Sequence, residues 1–376
     1  MIYFDAAATT LQKPTEVARA CAHAVGAYAS PGRGGHLPAM AAAQIAYDCR
    51  SLAGELFGVA EPERVVFTLN ATHALNIAIR SLVKPGDTVV VSGWEHNAVT
   101  RPLHALGANI KVAAGGLFDQ GEALAAFAKA LTGNIACAIC TQCSNVFGMI
   151  QPIAQIAALC RDRKVPLIVD ASQGAGCLPI DVDGWGAAFV AMPGHKGLYG
   201  PQGTGLLLCG RGVDAVPLLQ GGTGSDSINQ KMPDFLPDRL EAGTHNITGI
   251  AGLYEGLKFV KSKGPANILA HERKLTVHAR DILGQLPGVE VFGDAMGVSQ
   301  GGVLSFRMAR TDCETVAGWL GEHGVAVRSG LHCAPLAHRT GGTLDTGTVR
   351  LSFSAFNTRR EVDRFREKLE ILVRKG

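Results

Sequence analysis

Residues 165–174, VPLIVDASQG, and residues 189–205, FVAMPGHKGLYGPQGTG, decide the fold of this chain. The first stretch is a short apolar run that ends in a carboxylate, Asp170, which is how a buried parallel strand delivers an acid to the carboxyl edge of a sheet. The second carries Lys196 into a glycine-rich turn, where backbone can approach a ligand closely. We therefore expect Asp170 and Lys196 to meet at the edge where open α/β folds bind ligands.

This pair of residues suits the chemistry of pyridoxal phosphate (PLP). A lysine amine forms a Schiff base with the PLP aldehyde, and a carboxylate keeps the pyridine nitrogen protonated so that the ring accepts electrons. A surface lysine and a strand-end acid of another α/β enzyme would have the same spacing. Both interpretations stay open on the spacing of Asp170 and Lys196 alone.

Strand and helix patterns alternate over the first two thirds of the chain, which predicts a mostly parallel sheet covered by helices on both faces. We assign this sheet to a large domain over residues 15–255. Residues 1–14 and 256–376 are predicted to form a smaller α+β domain. The predictions include a helix over residues 41–57 and one strand over residues 326–328.

The composition is that of a folded protein with large cores: the chain has 376 residues, of which 47% are hydrophobic and 18% charged. The net charge of +3 is small and no basic run with interleaved aromatics occurs, so nucleic acid is not an expected partner. No apolar stretch reaches membrane-spanning length and the N-terminus has no secretory signal pattern. We expect no membrane partner and a cytoplasmic location.

The ten cysteines are predicted to be free thiols rather than a disulfide framework. Cys137, Cys140 and Cys143 form a C-x2-C-x2-C pattern that superficially resembles iron–sulfur ligation. The surrounding segment, NIACAICTQCSN, is typical of a buried strand, in which Cys140 would face away from the other two. We therefore predict core packing and no metal site.

Nine motifs follow one another along essentially the whole chain: FDAAATT, NATHALN, WEHNA, SNVFG, VDASQ, GHKGLYGPQGTG, EAGTHN, VRSGLHCAP and TVRLSFSAFNT. In this order they resemble the fold-type I PLP enzymes of aminotransferase class V, and within them the cysteine desulfurase and selenocysteine lyase family. The resemblance implies an α/β fold with a mostly parallel seven-stranded sheet between helices and a smaller α+β domain that carries a catalytic cysteine loop.

The resemblance implies PLP as the cofactor. Lys196 matches the Schiff-base lysine, and Asp170 matches the partner of the pyridinium nitrogen. Other positions implied to contact PLP are Gln173 at the phenolic oxygen, His96 stacked on the ring, Asn145 near cofactor and substrate, and Ala71, Thr72 and His195 at the phosphate. Thr244 matches a phosphate ligand that the family takes from the second subunit, which implies a homodimer.

Cys333 matches the sulfur-abstracting nucleophile of the family. It follows Arg328 and His332, and neighbouring cationic groups would raise its thiolate fraction. Arg350 resembles the arginine that binds the substrate carboxylate through two parallel bonds. Arg328 would help to shape the same pocket, and His36 matches a substrate-side histidine.

The implied activity is a PLP-dependent conversion of L-cysteine to L-alanine, with sulfur left as a persulfide on Cys333 and passed to an acceptor, such as a sulfur-acceptor protein. A selenocysteine lyase acting on L-selenocysteine, and a class V aminotransferase or epimerase in which Cys333 is incidental, are the alternatives. A catalytically silent scaffold is a further alternative outside enzymes. Taken singly, His96 is also typical of a core histidine, Thr72 of a helix cap and Asn145 of a turn.

Two positions depart from the family pattern. Pro193 stands before GHKG, where the closest desulfurases commonly have a hydroxyl residue that binds phosphate, and proline offers neither a hydroxyl nor an N–H. His73 replaces an acidic residue that often follows the phosphate-binding threonine. We therefore expect phosphate binding to depend more on Thr72, His195 and Thr244.

Overall fold

A computed structural model describes residues 1–32 and 34–375; Arg33, in the segment before His36, and Gly376 lie outside them. Within these ranges the chain forms twelve α-helices and thirteen strands. The helices are α1 (Thr15–Ala27), α2 (Leu37–Phe57), α3 (Ala71–Leu82), α4 (Asn97–Ala105), α5 (Gln120–Ala130), α6 (Ile153–Asp162), α7 (Val182–Trp185), α8 (Ile247–Lys263), α9 (Pro265–Leu283), α10 (Cys313–Glu322), α11 (Pro335–Thr340) and α12 (Arg359–Lys375). The strands are β1 (Ile2–Tyr3), β2 (Val65–Thr68), β3 (Thr88–Ser92), β4 (Asn109–Ala113), β5 (Cys137–Thr141), β6 (Leu167–Asp170), β7 (Phe189–Pro193), β8 (Gly205–Cys209), β9 (Val289–Phe292), β10 (Val303–Met308), β11 (Val325–Ala326), β12 (Arg328–Gly330) and β13 (Thr348–Ser352).

The largest sheet has seven strands in the order β2-β8-β7-β6-β5-β3-β4. The pairings of β8 with β2 and with β7 are antiparallel, and the other pairings in this sheet are parallel. The predicted fold class, an α/β fold around a mostly parallel sheet, is therefore confirmed. Side chains alternate between two buried layers: Val90 packs with α2, α5, α6 and α8 on one face, and Val89 and Val91 pack with α3 and α4 on the other.

A second, antiparallel sheet has four strands in the order β12-β13-β10-β9. It packs against α9, α10 and α12, and Leu304, Phe306, Leu351 and Phe365 are fully buried in this core. The N-terminal strand β1 pairs with β11, and Phe4 joins the same core. The N-terminal strand and the last third of the chain thus share one core.

Two predicted element bounds are wrong. Helix α2 begins at Leu37 rather than at residue 41, because Pro38 occupies its first turn, where proline has no N–H bond to lose. The strand predicted over residues 326–328 is two short strands, since Ala326 pairs with Tyr3 while Arg328 pairs with Arg350.

The domain boundaries stay a prediction; the one between residues 255 and 256 falls inside α8. Within the described ranges, no helix is long and apolar enough to cross a membrane.

Candidate active site

One cavity opens at the carboxyl edge of the large sheet. It encloses about 490 Å³ of empty space, part of which is open to solvent. Eight of the residues predicted to bind a cofactor line it: Ala71, Thr72, His96, Asn145, Asp170, Gln173, His195 and Lys196. Ala71 and Lys196, which are 125 positions apart in sequence, therefore line one crevice.

Asp170 is the last residue of β6, in the interior of the sheet. It pairs with Thr141 on one side and Ala191 on the other, and it is 2% exposed. Its Oδ1 accepts a hydrogen bond from the backbone N–H of Ser172 over 2.9 Å. One carboxylate oxygen is therefore fixed by the turn after β6, and the buried acid stands at the cavity wall.

Lys196 follows β7 in a turn packed tightly against backbone. A Cβ at Gly197 would lie 2.3 Å from the carbonyl oxygen of Ala175, so only glycine fits there. Burial lowers the pKa of Lys196 to about 8, although the nearby Asp170 carboxylate opposes the shift. The uncharged fraction of the Lys196 amine near neutral pH is therefore much larger than for an exposed lysine, and the uncharged amine is the nucleophile.

The N-terminus of α3 points at the same cavity. Asn70 caps this helix by accepting the N–H of His73 over 2.9 Å, while Ala71 and Thr72 are the first two helical residues. Free N–H groups and the positive end of the helix dipole favour an anion at this place. His73 accepts the N–H of Leu69 through Nδ1 over 3.3 Å, so it helps to shape the turn before the helix.

Three further residues of the cavity wall are His96, His195 and Gln173. His96 caps α4, with Nδ1 accepting the N–H of Ala98 over 3.0 Å, and burial lowers its pKa. Burial also lowers the pKa of His195, to about 4, so both imidazoles are neutral at pH 7. Gln173 donates through Nε2 to the carbonyl of Ala7 over 3.0 Å, which fixes its amide plane at the cavity.

Arg350 is 2% exposed and lies beside this cavity rather than in its wall. Its Nη1 donates to the carbonyl of Asn145 over 2.9 Å, and its Nη2 donates to Asp5 over 2.8 Å. Its Nε is buried and has no hydrogen-bond partner among the residues that the structure describes. A buried guanidinium with an unused donor suits a carboxylate ligand.

Asp5, in the motif FDAAATT, contacts Arg350, although the sequence patterns give it no role. Its second oxygen accepts from Arg328 over 3.1 Å, so one carboxylate bridges Arg350 and Arg328. The Arg328 side chain is 51% exposed. The sequence does contain a signal for Asp5, because it ends a short apolar run, as Asp170 does. The strand β1 has only two residues, however, and is too short to give a strand pattern.

Cys333 is exposed, whereas eight of the other cysteines are buried and Cys21 is intermediate, and all ten are free in the described structure. Its carbonyl accepts the N–H of Asn97 over 2.8 Å, which ties it to the residue after His96. His332 is not the cationic neighbour predicted from the sequence. Burial lowers the pKa of His332 to about 2, so its ring is neutral.

Besides Arg350, Arg328 and Cys333, two other predicted site residues do not line the cavity. Thr244 is exposed and lines a separate cavity with Glu241. His36 is exposed at the start of α2, where its carbonyl accepts the N–H groups of Ala39 and Met40. The chain by itself therefore does not bring Thr244 and His36 to Lys196.

The three clustered cysteines are core residues, as predicted. Cys137 and Cys140 belong to the layers on opposite faces of the large sheet, and Cys143 follows β5 in a further buried cluster. Burial raises the pKa of Cys137 and of Cys143 to about 12. Across residues 1–32 and 34–375 no group of three or more histidine, cysteine or acidic residues could hold a metal ion.

Comparison with known proteins identifies the family of this chain. The family model described as aminotransferase class V matches residues 2–365. The chain belongs to the aminotransferase class V family. A relative of this class V chain, named "probable cysteine desulfurase", from Methanothermobacter thermautotrophicus is 34% identical over 396 residues, which cover 100% of this chain and 95% of the relative.

Solved structures resemble this class V chain over its whole length. The structure titled as the apo cysteine desulfurase from Thermococcus onnurineus has a TM-score of 0.91 at 30% identity, covering 100% of this chain and 95% of that one. The structure of the cysteine desulfurase CsdA in S-sulfonic acid form from Escherichia coli has a TM-score of 0.87 at 26% identity, covering 99% and 94% of the two chains. The class V membership therefore rests on both sequence and fold.

Proposed function

We propose that this chain is a PLP-dependent cysteine desulfurase, which converts L-cysteine to L-alanine and leaves the sulfur as a persulfide on Cys333. One observation carries the proposal. The cavity that holds the predicted cofactor residues is bordered by the segment with the exposed cysteine, since Asn97, next to His96 in the cavity wall, binds the Cys333 carbonyl. The names of the relatives support the same activity.

The residues present in the cavity fit PLP. An amine whose pKa is lowered to about 8 and a buried carboxylate stand in one crevice, and a capped helix N-terminus offers N–H groups to a phosphate. Lys196 would hold the cofactor covalently and Asp170 would hold its ring nitrogen. The remaining proposed contacts are His96 at the ring, Gln173 at the phenolic oxygen, Asn145 near the substrate, and Ala71, Thr72 and His195 at the phosphate.

When bound, PLP supplies an electron-accepting ring that stabilises negative charge on the substrate α-carbon. The chain supplies the proton transfer, because the Lys196 amine, neutral above about pH 8, accepts the α-proton. Neutral His96 adds no positive charge beside the ring, where it would oppose protonation of the ring nitrogen by repulsion. Because both histidines are neutral, they do not offset the negative charge of Asp170, which would stabilise the protonated ring nitrogen.

Cys333 would act on sulfur. Its thiolate attacks the thiol sulfur of L-cysteine, so that an S–S bond forms as the C–S bond breaks. The electron pair of the C–S bond stays with the carbon skeleton, which gains a proton and leaves as L-alanine. The Cys333 thiol is thereby oxidised to a persulfide, and the substrate carbon that carried the sulfur is reduced. A thiol or an acceptor protein then takes the persulfide sulfur.

Arg350 would bind the substrate carboxylate. Its buried Nε is the donor left unused by Asp5 and by the Asn145 carbonyl. Arg328 is held at the same carboxylate of Asp5 and would add positive charge at the pocket entrance. His36 stays a proposed substrate-side residue that would act from the start of α2.

A second copy of the chain would complete the phosphate site. Thr244 is exposed and does not line the cavity of its own chain, as expected of a ligand that serves a partner. We propose a homodimer in which Thr244 of each chain completes the site of the other. A Thr244→Ala variant that keeps the dimer and weakens PLP binding would support this arrangement.

The test uses purified protein loaded with PLP. It is incubated separately with L-cysteine and L-selenocysteine, with and without a reductant, and alanine is measured alongside sulfide or selenide. Alanine and sulfide from L-cysteine, both lost in Cys333→Ala, support the proposal. Alanine from L-selenocysteine alone identifies a selenocysteine lyase instead, and activity that survives Cys333→Ala contradicts the role of Cys333.

A further inference from the structure

Asn145 makes two hydrogen bonds that link the substrate side of the site to the cysteine segment. Its backbone carbonyl accepts Nη1 of Arg350 over 2.9 Å, and its side-chain Nδ2 donates to the carbonyl of His332 over 2.8 Å. Asn145 and His332 are 8% exposed, and Arg350 is 2% exposed. Both bonds are therefore shielded from water, so water cannot readily replace either of them if it is broken.

The cysteine segment has a backbone conformation that needs such support. His332 and Cys333 have φ angles of 49° and 54°, in the left-handed region that residues with a Cβ avoid. Two adjacent residues in this region persist only where the surroundings hold them. Cys333 itself is exposed, so burial of its side chain does not fix the segment.

Hydrogen-bonding contacts with three residues outside the segment help to hold it. The Asn145 amide binds the His332 carbonyl, the backbone N–H of Asn97 binds the Cys333 carbonyl over 2.8 Å, and His332 Nε2 lies 3.1 Å from Thr348 Oγ1. Asn97 contributes through its backbone, and Thr348 Oγ1 also donates to Ser305 over 3.1 Å. Asn145 is the residue that also contacts the arginine of the substrate side, through its backbone carbonyl.

We infer that Asn145 is a positioning residue that sets the Cys333 thiol relative to the substrate held by Arg350. This inference rests on the proposed nucleophilic role of Cys333. If Arg350 holds the substrate carboxylate, the sulfur that Cys333 attacks lies at a distance fixed by the substrate. The Asn145 amide then sets the position of the Cys333 thiol relative to that sulfur, because it holds the carbonyl of His332, the residue before Cys333.

Two variants remove the amide donor. Asn145→Ala deletes the side chain, and Asn145→Asp keeps its shape but presents an acceptor to the His332 carbonyl. Asn109→Ala is the matched control, since Asn109 Nδ2 donates to the carbonyl of Gly86 over the same 2.8 Å at the far edge strand of the sheet. If Asn145→Ala does not fold, Asn145→Asp still tests the inference.

The first readout is amide hydrogen exchange of the peptide that spans residues 328–335 in the PLP-loaded protein. We expect exchange about tenfold faster in both Asn145 variants and unchanged in Asn109→Ala, because loss of one buried hydrogen bond changes a local opening equilibrium by about that factor. Unchanged exchange in the Asn145 variants would overturn the inference. This readout does not depend on desulfurase activity.

The second readout separates steps of the reaction. Deuterium exchange at the α-carbon of recovered L-cysteine needs Lys196 but not Cys333, whereas alanine formation needs both. We expect the ratio of alanine formation to α-exchange to fall about tenfold in the Asn145 variants. A proportional loss of both rates would mean that Asn145 acts through cofactor or substrate, and would overturn the inference. No alanine from the wild type would instead refute the proposed function.

Discussion

Asp5 Oδ1 accepts a hydrogen bond from Arg350 Nη2 over 2.8 Å, although the two residues are 345 positions apart. Both side chains are nearly buried, at 12% and 3% exposed. The N-terminal segment is thereby anchored to β13, and the plane of the guanidinium is fixed on the substrate side of the cavity. A buried pair of this kind is costly to break, because one charge is left without its partner.

Asp5→Ala is therefore expected to lower the free energy of unfolding by about 3 kcal/mol, as measured by urea denaturation. The KM for L-cysteine is expected to rise about tenfold, because the freed guanidinium no longer presents Nε in a fixed direction. Glu290→Ala is the control, since it breaks the exposed pair with Arg307 in the second sheet. It should lower stability by less than about 1 kcal/mol. Equal losses from the two variants would contradict the buried-pair account.

The lowered pKa of Lys196 predicts how the apoprotein captures PLP. The neutral amine reacts with the aldehyde, so the capture rate should rise about tenfold per pH unit and level off above about pH 8. The rate is followed by the yellow absorbance of lysine-bound PLP, which Lys196→Ala should not develop. A rate that keeps rising to about pH 10, as for an exposed lysine, would contradict the effect of burial.

The strands that carry the cavity follow from the sequence because their signals are local. An apolar run that ends in Asp170 and one that precedes Lys196 each specify a strand and its carboxyl end, and parallel strands bring those ends to one edge. The same reasoning placed Cys137 and Cys140 in the core, since strand alternation decides their faces.

The features that the sequence does not predict depend on contacts between distant segments. His332 looks cationic beside Cys333 in sequence, but the fold buries its ring, and burial favours the neutral form. The strand break between Ala326 and Arg328 has no local signal, because it arises from two different partners. The bonds of Asn145 to His332 and Arg350 span 187 and 205 positions, which no spacing rule reveals.

The cap of α3 should affect both stability and cofactor binding. Asn70→Ala removes the acceptor for the His73 N–H, and loss of a helix cap costs about 1 kcal/mol. Because this turn lines the proposed phosphate site, the Kd for PLP should also rise, by about fivefold.

Asp119→Ala is the control for this cap. Asp119 caps α5 in the same way, by accepting the N–H of Glu122 over 2.8 Å, but it does not line the cavity. Similar stability losses in the two variants, with weaker PLP binding only in Asn70→Ala, would assign the difference to the phosphate site. Weaker PLP binding in both would show that it follows from stability alone.

Glu272 should make the stability of the protein fall as the pH rises. It lies in α9, is 7% exposed, and lines a cavity behind Lys196 with Cys143 and Cys177. Burial raises its pKa to about 8 from an ordinary value of 4.5. Between these two values the folded chain binds a proton at Glu272 that the unfolded chain releases, so stability decreases through this pH range.

Glu272→Gln removes this proton linkage while keeping the size of the side chain. We expect the variant to match the wild type near pH 5 and to exceed its free energy of unfolding by a few kcal/mol, on the order of 3, near pH 8. Urea denaturation of both proteins across this range measures the difference. A constant difference at every pH would mean that the Glu272 carboxyl is ionised in the folded protein, held by a partner or by water in the cavity.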